Sequence, residues 1–290
     1  MAYKLITDIT TDLSVKMAES LDLEMIPMPL EIDGVVEESK NFSAEQFYDL
    51  LNKGSKVTTS QINPITYKMQ FENYLKQGLD ILYIGFSSGL SGSINNSVLV
   101  ASELMAEYPE RKIICIDSLC ASSGEGLLVY SAAKHKKNGM PIEELSNWVM
   151  QHRLKVCSIF TVEDLKFLHR GGRISASSAV LGTMVNVKPL ISVREDGTLF
   201  NYSKVRGYKK AIATMASHMT KRWNPTIGQQ VFISHANCLE HATHLGDLIK
   251  AHDEQAEIHL HNLGPVIGAH TGPGTIALFF WGDERDLSCL

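Results

Sequence analysis

The stretch DILYIGFSSGLSGS, residues 80–93, joins a run of apolar residues directly to a loop of glycines and serines. The apolar run 80–86 predicts a buried strand, and the residues from about Ser91 to about Glu107 predict a helix. A buried strand that leads through such a loop into a helix is typical of a parallel sheet with helices on its faces. Ligands of these folds bind beyond the carboxyl ends of the strands, which makes the loop a candidate binding site.

The same alternation of strand and helix extends outward in both directions. In the N-terminal half we predict a mostly parallel sheet with helices on both faces, from strands at 4–8, 25–30, 80–86 and 111–117. In the C-terminal half we predict strands at 158–162, 186–193, 198–205, 230–234 and 257–263. Asp196-Gly197 is a hairpin signal between two of them, so this second sheet is mixed. The fold class is therefore α/β, and we predict two α/β domains at residues 1–155 and 156–290.

The composition argues against several classes of function. The chain has 290 residues, of which 44% are hydrophobic and 20% charged, and its net charge is −5. This acidic balance argues against nucleic-acid binding, which needs a basic face. The longest apolar run, 276–281, is far shorter than the roughly 20 residues that cross a bilayer, and the first residues resemble no secretion signal. The five cysteines form no CxxC pair and predict neither disulfides nor a zinc site. We expect a cytoplasmic protein without a membrane span, a metal or a cofactor.

Two further polar segments are candidates for function besides the 85–93 loop. The first, Val57-Thr58-Thr59-Ser60-Gln61, offers three hydroxyls and an amide, which either cap the next helix or donate to a ligand. The second, 264–274, holds His270 and Thr271 between two prolines. The loop itself adds a helix N-terminus and glycines that let the backbone approach a ligand. It has neither GxGxxG nor a P-loop lysine, so the nucleotide-binding fingerprint is missing.

The loop also contains a G-x-S-x-G pattern at 85–89, which suggests a serine hydrolase as an alternative. In α/β-hydrolases the central serine, here Ser87, is the nucleophile, and the acid and the histidine follow later in the chain. That order is available from two acids and two histidines, namely Asp117 or Asp164 and His235 or His270. A nucleophile elbow is a very sharp turn, however, whereas the predicted helix begins several residues after Ser87. The pattern favours a binding loop over an elbow.

The remaining histidines favour structural roles. His241 and His244 share a helix face without a carboxylate at a fitting spacing, so a solvated face is favoured over a metal site. His259 and His261 alternate along one strand, which an exposed sheet edge would explain.

Taken in order along the chain, these motifs resemble those of the DegV family. The resemblance rests on TDITTDL (7–13), TSQ (59–61), FSSGLSG (86–92), DS (117–118), SGEG (123–126), RGGRIS (170–175), KP (188–189), DG (196–197), VRG (205–207) and HTGPG (270–274). It covers essentially the whole chain.

The resemblance implies two α/β domains that hold a long-chain fatty acid between or beneath them. It implies that Thr59, Ser91 and His270 meet the carboxylate. The residues beside this head group would be Ser60, Gly92 and Thr271, and Arg206 would lie near the head group and a partner surface. Family members serve as the fatty-acid-binding subunit of bacterial fatty acid kinase, and they offer the carboxylate to a separate ATP-binding subunit that forms an acyl phosphate. On this interpretation the chain is no enzyme by itself and has no catalytic residue. A lipid-sensing regulator without a kinase partner is a further alternative.

The chain departs from the family pattern in two places. Ile62-Asn63 separates the Thr-Ser-Gln motif from Pro64, where the family usually has proline at once, and this change could move Thr59. An aspartate common in the family is replaced within Glu38-Ser39-Lys40-Asn41. Nine residues could line an acyl tunnel and could equally be ordinary core, namely Ile26, Met28, Leu30, Ile94, Val98, Val180, Leu181, Met184 and Ile191.

Overall fold

The computed structural model of the chain describes residues 2–175 and 186–285. The elements of the N-terminal half are, in chain order, β1 (Tyr3–Asp8), α1 (Val15–Ser20), β2 (Glu24–Ile26), β3 (Pro29–Ile32), β4 (Val35–Glu38), α2 (Ala44–Asn52), β5 (Val57–Thr59), α3 (Pro64–Leu75), β6 (Asp80–Gly85), α4 (Ser93–Glu107), β7 (Ile113–Asp117), α5 (Ser123–Lys137) and α6 (Ile142–His152). Short 3-10 turns occupy Ile9–Thr11, Ser39–Asn41 and Arg153–Lys155.

A parallel sheet with strand order β2-β1-β6-β7 forms the centre of this half. Side chains alternate along each strand, so Leu82 and Ile84 pack with α5 and α6 on one face. On the other face, Ile81 and Tyr83 pack with α3 and α4. The prediction of a parallel sheet with helices on both faces is confirmed.

The predicted strand at 25–30 is wrong in its extent. The chain breaks it into β2 and β3, and β3 leaves the parallel sheet to pair antiparallel with β4 and β5 in a small sheet of its own. Asp33 and Gly34 both have positive φ and form the tight turn between β3 and β4. Asp-Gly is the signal for such a turn, but no turn was predicted at this position. The small sheet matters because β5 carries Thr59.

The C-terminal elements are β8 (Val156–Thr161), α7 (Lys166–Arg170), β9 (Val187–Val193), β10 (Leu199–Arg206), α8 (Tyr208–Arg222), β11 (Gln230–His235), α9 (Leu239–His252), β12 (Glu257–Asn262), α10 (Pro265–Thr271) and β13 (Ile276–Trp281). They form a mixed sheet with strand order β10-β9-β8-β13-β11-β12, as predicted. The hairpin between β9 and β10 at Asp196-Gly197 is also confirmed.

The two sheets share one hydrophobic core. Helix α5 lies between them, because Leu127 and Leu128 belong to the same buried cluster as Leu5 of β1 and Phe279 of β13. The opposite face of the mixed sheet is covered by α8 and α9. Each large sheet takes its strands from one side of residue 155, and the division into domains at that residue stays a prediction. Within the described ranges, no helix is long and apolar enough to cross a membrane.

Candidate functional site

A cavity of about 770 Å³, its open mouth included, lies between residues of both halves. Its apolar lining comes from strands, helices and loops of both halves, namely Met28, Phe86, Leu90, Ala121, Phe160, Leu168, Val193, Leu199, Leu263, Val266, Ile267, Ala277 and Phe279. Its polar lining comprises Thr59, Ser60, Gln61, Ser91, Ser122, Ser158, Arg173, His270, Thr271 and Thr275. The cavity is therefore an apolar space with a limited set of hydrogen-bonding groups.

The side chains of Thr59 and His270 meet at the wall of this cavity, although 211 residues separate them in sequence. Thr59 Oγ1 and His270 Nε2 lie 2.7 Å apart. Thr59 is the last residue of β5, and His270 lies in the final turn of α10. The pairing of β5 with β3 and the packing of α10 against β5 bring the two together.

Ser91 lies in the loop that follows β6 and lines the same cavity. Its hydroxyl is 2.9 Å from that of Ser93, which in turn accepts a hydrogen bond from the backbone of Ile62 at 3.0 Å. A Cβ on Gly92 would overlap the end of the Gln61 side chain, which shows how closely the two segments approach each other. The loop thus contacts the Thr-Ser-Gln segment, and Thr59, Ser91 and His270 all face one cavity.

The extra residues Ile62-Asn63 fit between these segments without separating Thr59 from His270. Ile62 is fully buried and its carbonyl accepts from the Asn96 amide at 2.8 Å. Asn63 caps α3 through a hydrogen bond from the Thr66 backbone at 2.9 Å. The helix cap is therefore Asn63, and Thr59 stays available to the cavity.

The imidazole of His270 is neutral near pH 7. Burial, followed by the charges of Arg173 and Arg170, lowers its pKa to about 4. Its Nδ1 is buried without a hydrogen-bond partner among the described residues. An unpaired buried N–H costs more than an unpaired acceptor, so the proton belongs on Nε2, where it is donated to Thr59 Oγ1. The hydroxyl proton of Thr59 is then free for a ligand.

Arg173 also lines the cavity, although it was not among the predicted site residues. Its guanidinium donates to the carbonyls of Leu90 and Gly171, and its charge acts on His270. The sequence signal was the RGGR motif at 170–173, which brings Gly171 against the His270 ring: a Cβ there would overlap Nδ1. A cation held by two backbone carbonyls therefore lies beside the predicted carboxylate site.

The other predicted head-group residues differ in position. Ser60 and Thr271 line the cavity, whereas Gly92 acts through its contact with Gln61. Arg206 is exposed at the end of β10 and is not part of the lining. The nearby Tyr208 hydroxyl donates to the Gly274 carbonyl at 2.5 Å, so this end of β10 is linked to the loop after α10.

Most of the predicted tunnel residues lie elsewhere. Of the nine, only Met28 belongs to the described lining. Val98 is exposed, and the other four within the described ranges, Ile26, Leu30, Ile94 and Ile191, are buried core. Val180, Leu181 and Met184 lie outside the described residues.

Ser87, the serine of the G-x-S-x-G pattern, has a structural environment. Its side chain is fully buried and donates to the Gly197 carbonyl at 2.9 Å, and it accepts from the Gly89 backbone at 3.1 Å. Both bonds are to backbone, and Ser87 does not line the described cavity. Helix α4 begins only at Ser93, so the segment is a loop and forms no nucleophile elbow.

The interpretation of His259 and His261 as exposed edge residues is wrong. Strand β12 is an edge strand, but both rings pack on Phe232, at 4.8 and 5.0 Å between centroids. His261 is only 7% exposed. His241 stacks on Tyr208, and no group of three or more metal-ligating side chains is found in the described part of the chain.

Comparison with known proteins assigns the chain to a family. The sequence model of a family described as "uncharacterised protein, DegV family" matches residues 2–283. A DegV domain-containing protein of Clostridium perfringens is 38% identical over 288 residues, which cover 98% of this chain and 99% of that protein. The chain belongs to the DegV family.

Solved DegV structures share its fold. A fatty-acid-binding DegV family protein of Streptococcus agalactiae is 26% identical, with a TM-score of 0.83 over 98% of this chain and 100% of that one. A DegV family protein of Thermus thermophilus, whose structure is described for its fatty acid binding, is 25% identical, with a TM-score of 0.85 over 97% of this chain and 100% of that one.

Proposed function

We propose that this DegV chain binds a long-chain fatty acid, with the acyl tail in the cavity and the carboxylate at Thr59, Ser91 and His270. The observation that carries this proposal is the contact between Thr59 and His270 at the wall of an apolar cavity that Ser91 also lines. The fatty acid binding of DegV proteins with the same fold supports it.

The energetics fit such a ligand. Transferring about fifteen methylenes at ~0.8 kcal/mol each gives roughly 12 kcal/mol, before the cost of association and ordering. A hydrogen bond to a charged group adds only about 1.5–3 kcal/mol. The tail therefore provides most of the affinity, while the head-group residues fix its orientation.

The chemistry of the head-group residues suits presentation of the carboxylate. The Thr59 hydroxyl donates one hydrogen bond, and the neutral His270 polarises that hydroxyl without forming an ion pair. Arg173 supplies positive charge, but two of its donors are already used by backbone carbonyls. A carboxylate held in this way keeps an oxygen free to attack a phosphoryl group.

We propose further that a separate ATP-binding kinase subunit phosphorylates the bound carboxylate and so forms the acyl phosphate. The sequence has no nucleotide-binding fingerprint of its own, so ATP would have to come from another chain. The exposed Arg206 is suited to contact such a partner at a site linked to the loop after α10. Because such a kinase subunit uses ATP inside the cell, we expect the protein to be cytoplasmic.

Binding is tested by titrating delipidated protein with oleic acid under native mass spectrometry, with oleyl alcohol as a matched ligand that lacks the carboxylate. We expect one oleic acid per chain and clearly weaker binding of the alcohol. Equal binding of both ligands would contradict the head-group assignment, and binding of neither would contradict the function.

The kinase role is tested by adding a candidate ATP-binding subunit to the fatty-acid-loaded protein and measuring acyl phosphate formation. Turnover that requires this chain supports the proposal. Tight lipid binding without turnover with any such subunit would point instead to a lipid-sensing regulator.

A further inference from the structure

Asp12 connects three segments around the cavity and belongs to none of the predicted sites. It follows the 3-10 turn after β1 and is only 8% exposed. One carboxylate oxygen accepts from Ser122 Oγ at 2.5 Å, and the other accepts from the Gly264 backbone at 2.8 Å. Gly264 is the residue from which α10 begins, and Ser122 lines the cavity just before α5.

Both members of the Asp12–Ser122 pair have unusual backbone conformations. Asp12 has φ of 54° and Ser122 has φ of 55°. Non-glycine residues adopt positive φ at a cost, and such residues gather where the structure around them over-determines their position, often at functional sites. Their side chains are hydrogen-bonded to each other across 110 residues of sequence. The arrangement therefore points to a role beyond packing.

We propose that the Asp12 carboxylate is a positioning residue of the fatty-acid site, and that its protonation in mildly acidic solution weakens fatty acid binding. This inference rests on the proposed function. When ionised, Asp12 accepts from Gly264 and so fixes the start of α10, the helix that carries His270. It also accepts the Ser122 proton, which keeps that proton turned away from the cavity.

Protonation reverses the bond to Ser122. A protonated carboxyl donates through one oxygen, so the Ser122 hydroxyl becomes the acceptor. The hydroxyl proton of Ser122 must then point away from Asp12. Ser122 lines an apolar cavity together with Ala121, Phe279 and Leu263. A hydroxyl that points at an acyl tail lacks a partner, which disfavours the complex. The bond to Gly264 also loses its charge assistance.

The surroundings of Asp12 bring this titration into the physiological range. Burial is the largest cause of its raised pKa, with Ser122 and Gly264 opposing it and the neighbouring Asp8 adding to it, and the resulting value is about 7. The neighbouring titratable groups are the carboxyl of Asp8 at the end of β1 and the phenol of Tyr48 on α2, whose pKa is raised by burial and then by Asp12. Burial also raises the pKa of Asp8 and of Glu125 on α5, whereas it lowers the pKa of His270 to about 4. Asp12 therefore changes its charge between pH 6 and 8.

The sign of the stability effect separates this role from a structural one. A raised pKa means that the folded state binds the proton more tightly than the unfolded state, so the contribution of Asp12 to stability is lost as pH rises from about 4 to about 7. At pH 8 the ionised Asp12 therefore destabilises the fold while it supports the ligand site. The variant Asp12→Asn imitates the protonated carboxyl, because its amide has no charge, accepts from Gly264 and donates to Ser122. Asparagine also tolerates positive φ.

The test measures oleic acid affinity and thermal stability from pH 6 to 8 for wild type, Asp12→Asn and the control Asp33→Asn. Asp33 also has positive φ, at 51°, and accepts from a backbone N–H at 2.8 Å, but it is exposed. We expect the wild type and Asp33→Asn to bind about three- to tenfold more weakly at pH 6 than at pH 8. Asp12→Asn should bind weakly and equally at both pH values, yet melt at a higher temperature than wild type at pH 8.

The outcomes distinguish this inference from the proposed function. A pH profile of Asp12→Asn that equals the wild-type profile would overturn the role of Asp12, as would a variant that loses stability and affinity together. Wild type that takes up no oleic acid at pH 8 would instead refute the proposed function. Should Asp12→Asn fail to fold, Ser122→Ala serves as the second variant, because it removes the hydroxyl that turns into the cavity. The oleic acid affinity of this variant at pH 6 should rise towards the value at pH 8. An unchanged pH dependence of its affinity would overturn the inference.

Discussion

At the scale of single residues, the positions of protons decide what the site can do. His270 is neutral because burial and two nearby arginines lower its pKa to about 4, so it can donate through Nε2 to Thr59. Thr59 then directs its own proton at the ligand. The hydroxyl is thereby prepared for an anion without a buried opposite charge in direct contact with it.

Thr59→Val should weaken oleic acid binding by about ten- to a hundredfold, since a hydrogen bond to a charged group contributes about 1.5–3 kcal/mol. Valine keeps the shape of threonine and suits a strand. Thr58→Val is the matched control, because Thr58 is exposed on the other face of β5 and should leave the affinity unchanged. Isothermal titration of both variants checks this, and equal affinities would show that Thr59 does not contact the carboxylate.

Hydrogen bonds also indicate which of two buried acids, Asp8 and Glu125, carries a proton. The Thr10 hydroxyl lies 2.5 Å from Asp8 and 2.7 Å from Glu125, and it has one proton to donate. Asp8 also accepts from Tyr83 at 2.8 Å and from the Phe86 backbone at 3.1 Å, which favours its ionised form. Glu125 is therefore the protonated acid, in agreement with the burial that raises its pKa.

Glu125→Gln should fold and should reduce the dependence of stability on pH. The raised pKa of Glu125 means that its contribution is present below its unfolded pKa, near 4.3, and is lost as pH rises. Glutamine cannot ionise and can donate to Thr10 as the protonated acid does. Urea unfolding at pH 5.5 and pH 8.5 should show a smaller fall in the free energy of unfolding for the variant. An equal fall in both proteins would mean that Glu125 is not the proton carrier.

At the scale of elements, the site depends on short segments held close to one another. The end of α7 lies against α10, since a Cβ on Gly171 would overlap the ring of His270. Gly171 has a φ of −72°, which any residue adopts, so the need for glycine here comes from the neighbouring imidazole. The contact fixes the ring from the side opposite Thr59.

Gly171→Ala should displace His270 and lower oleic acid affinity by about tenfold, because overpacking typically costs about 1–3 kcal/mol. Gly246→Ala in α9 is the control, since its added Cβ would meet Ile258 at an ordinary 3.4 Å. Fluorescence titration measures the affinity, and circular dichroism shows that both variants remain folded. If Gly171→Ala bound oleic acid as tightly as wild type, the position of the His270 ring against residue 171 would not matter for binding.

The element scale also shows what sequence can and cannot predict. Strong periodic segments such as β6 and the Asp196-Gly197 hairpin were predicted because local pattern determines them. The split of 25–30 into β2 and β3 was missed for two reasons: the Asp33-Gly34 turn signal was overlooked, and β3 also pairs with the distant β5, which local pattern does not encode. Arg173 was missed for the same reason: its placement beside His270 depends on contacts between segments about a hundred residues apart. Thr59, Ser91 and His270 were chosen through the family resemblance, and spacing alone would not have united them.

At the scale of the whole molecule, the loop after β6 joins the two halves. Ser87 donates to Gly197 in the β9–β10 hairpin, and a Cβ on Gly89 would lie 2.7 Å from the Gly197 carbonyl carbon. The segment that matches a nucleophile elbow in sequence thus joins the loop after β6 to the β9–β10 hairpin. The same junction places the loop of Ser91 over the cavity.

Ser87→Ala should lower the free energy of unfolding by about 1–3 kcal/mol, since it leaves the buried Gly197 carbonyl without its donor. Ser88→Ala is the control, because Ser88 is exposed and should be neutral. Denaturant unfolding compares the free energies of unfolding of the two variants.

A fluorophosphonate probe tests the serine hydrolase alternative. It should leave wild-type Ser87 unlabelled, and covalent labelling of Ser87 would support the hydrolase.

A crystal structure of the protein with oleic acid would test the proposed fatty acid site most directly. We expect carboxylate oxygens within hydrogen-bonding distance of Thr59 Oγ1 and Ser91 Oγ, beside His270, and an acyl chain that passes Phe86 and Leu263 within the cavity. A fatty acid bound with its carboxylate away from these residues, or bound outside the cavity, would contradict it.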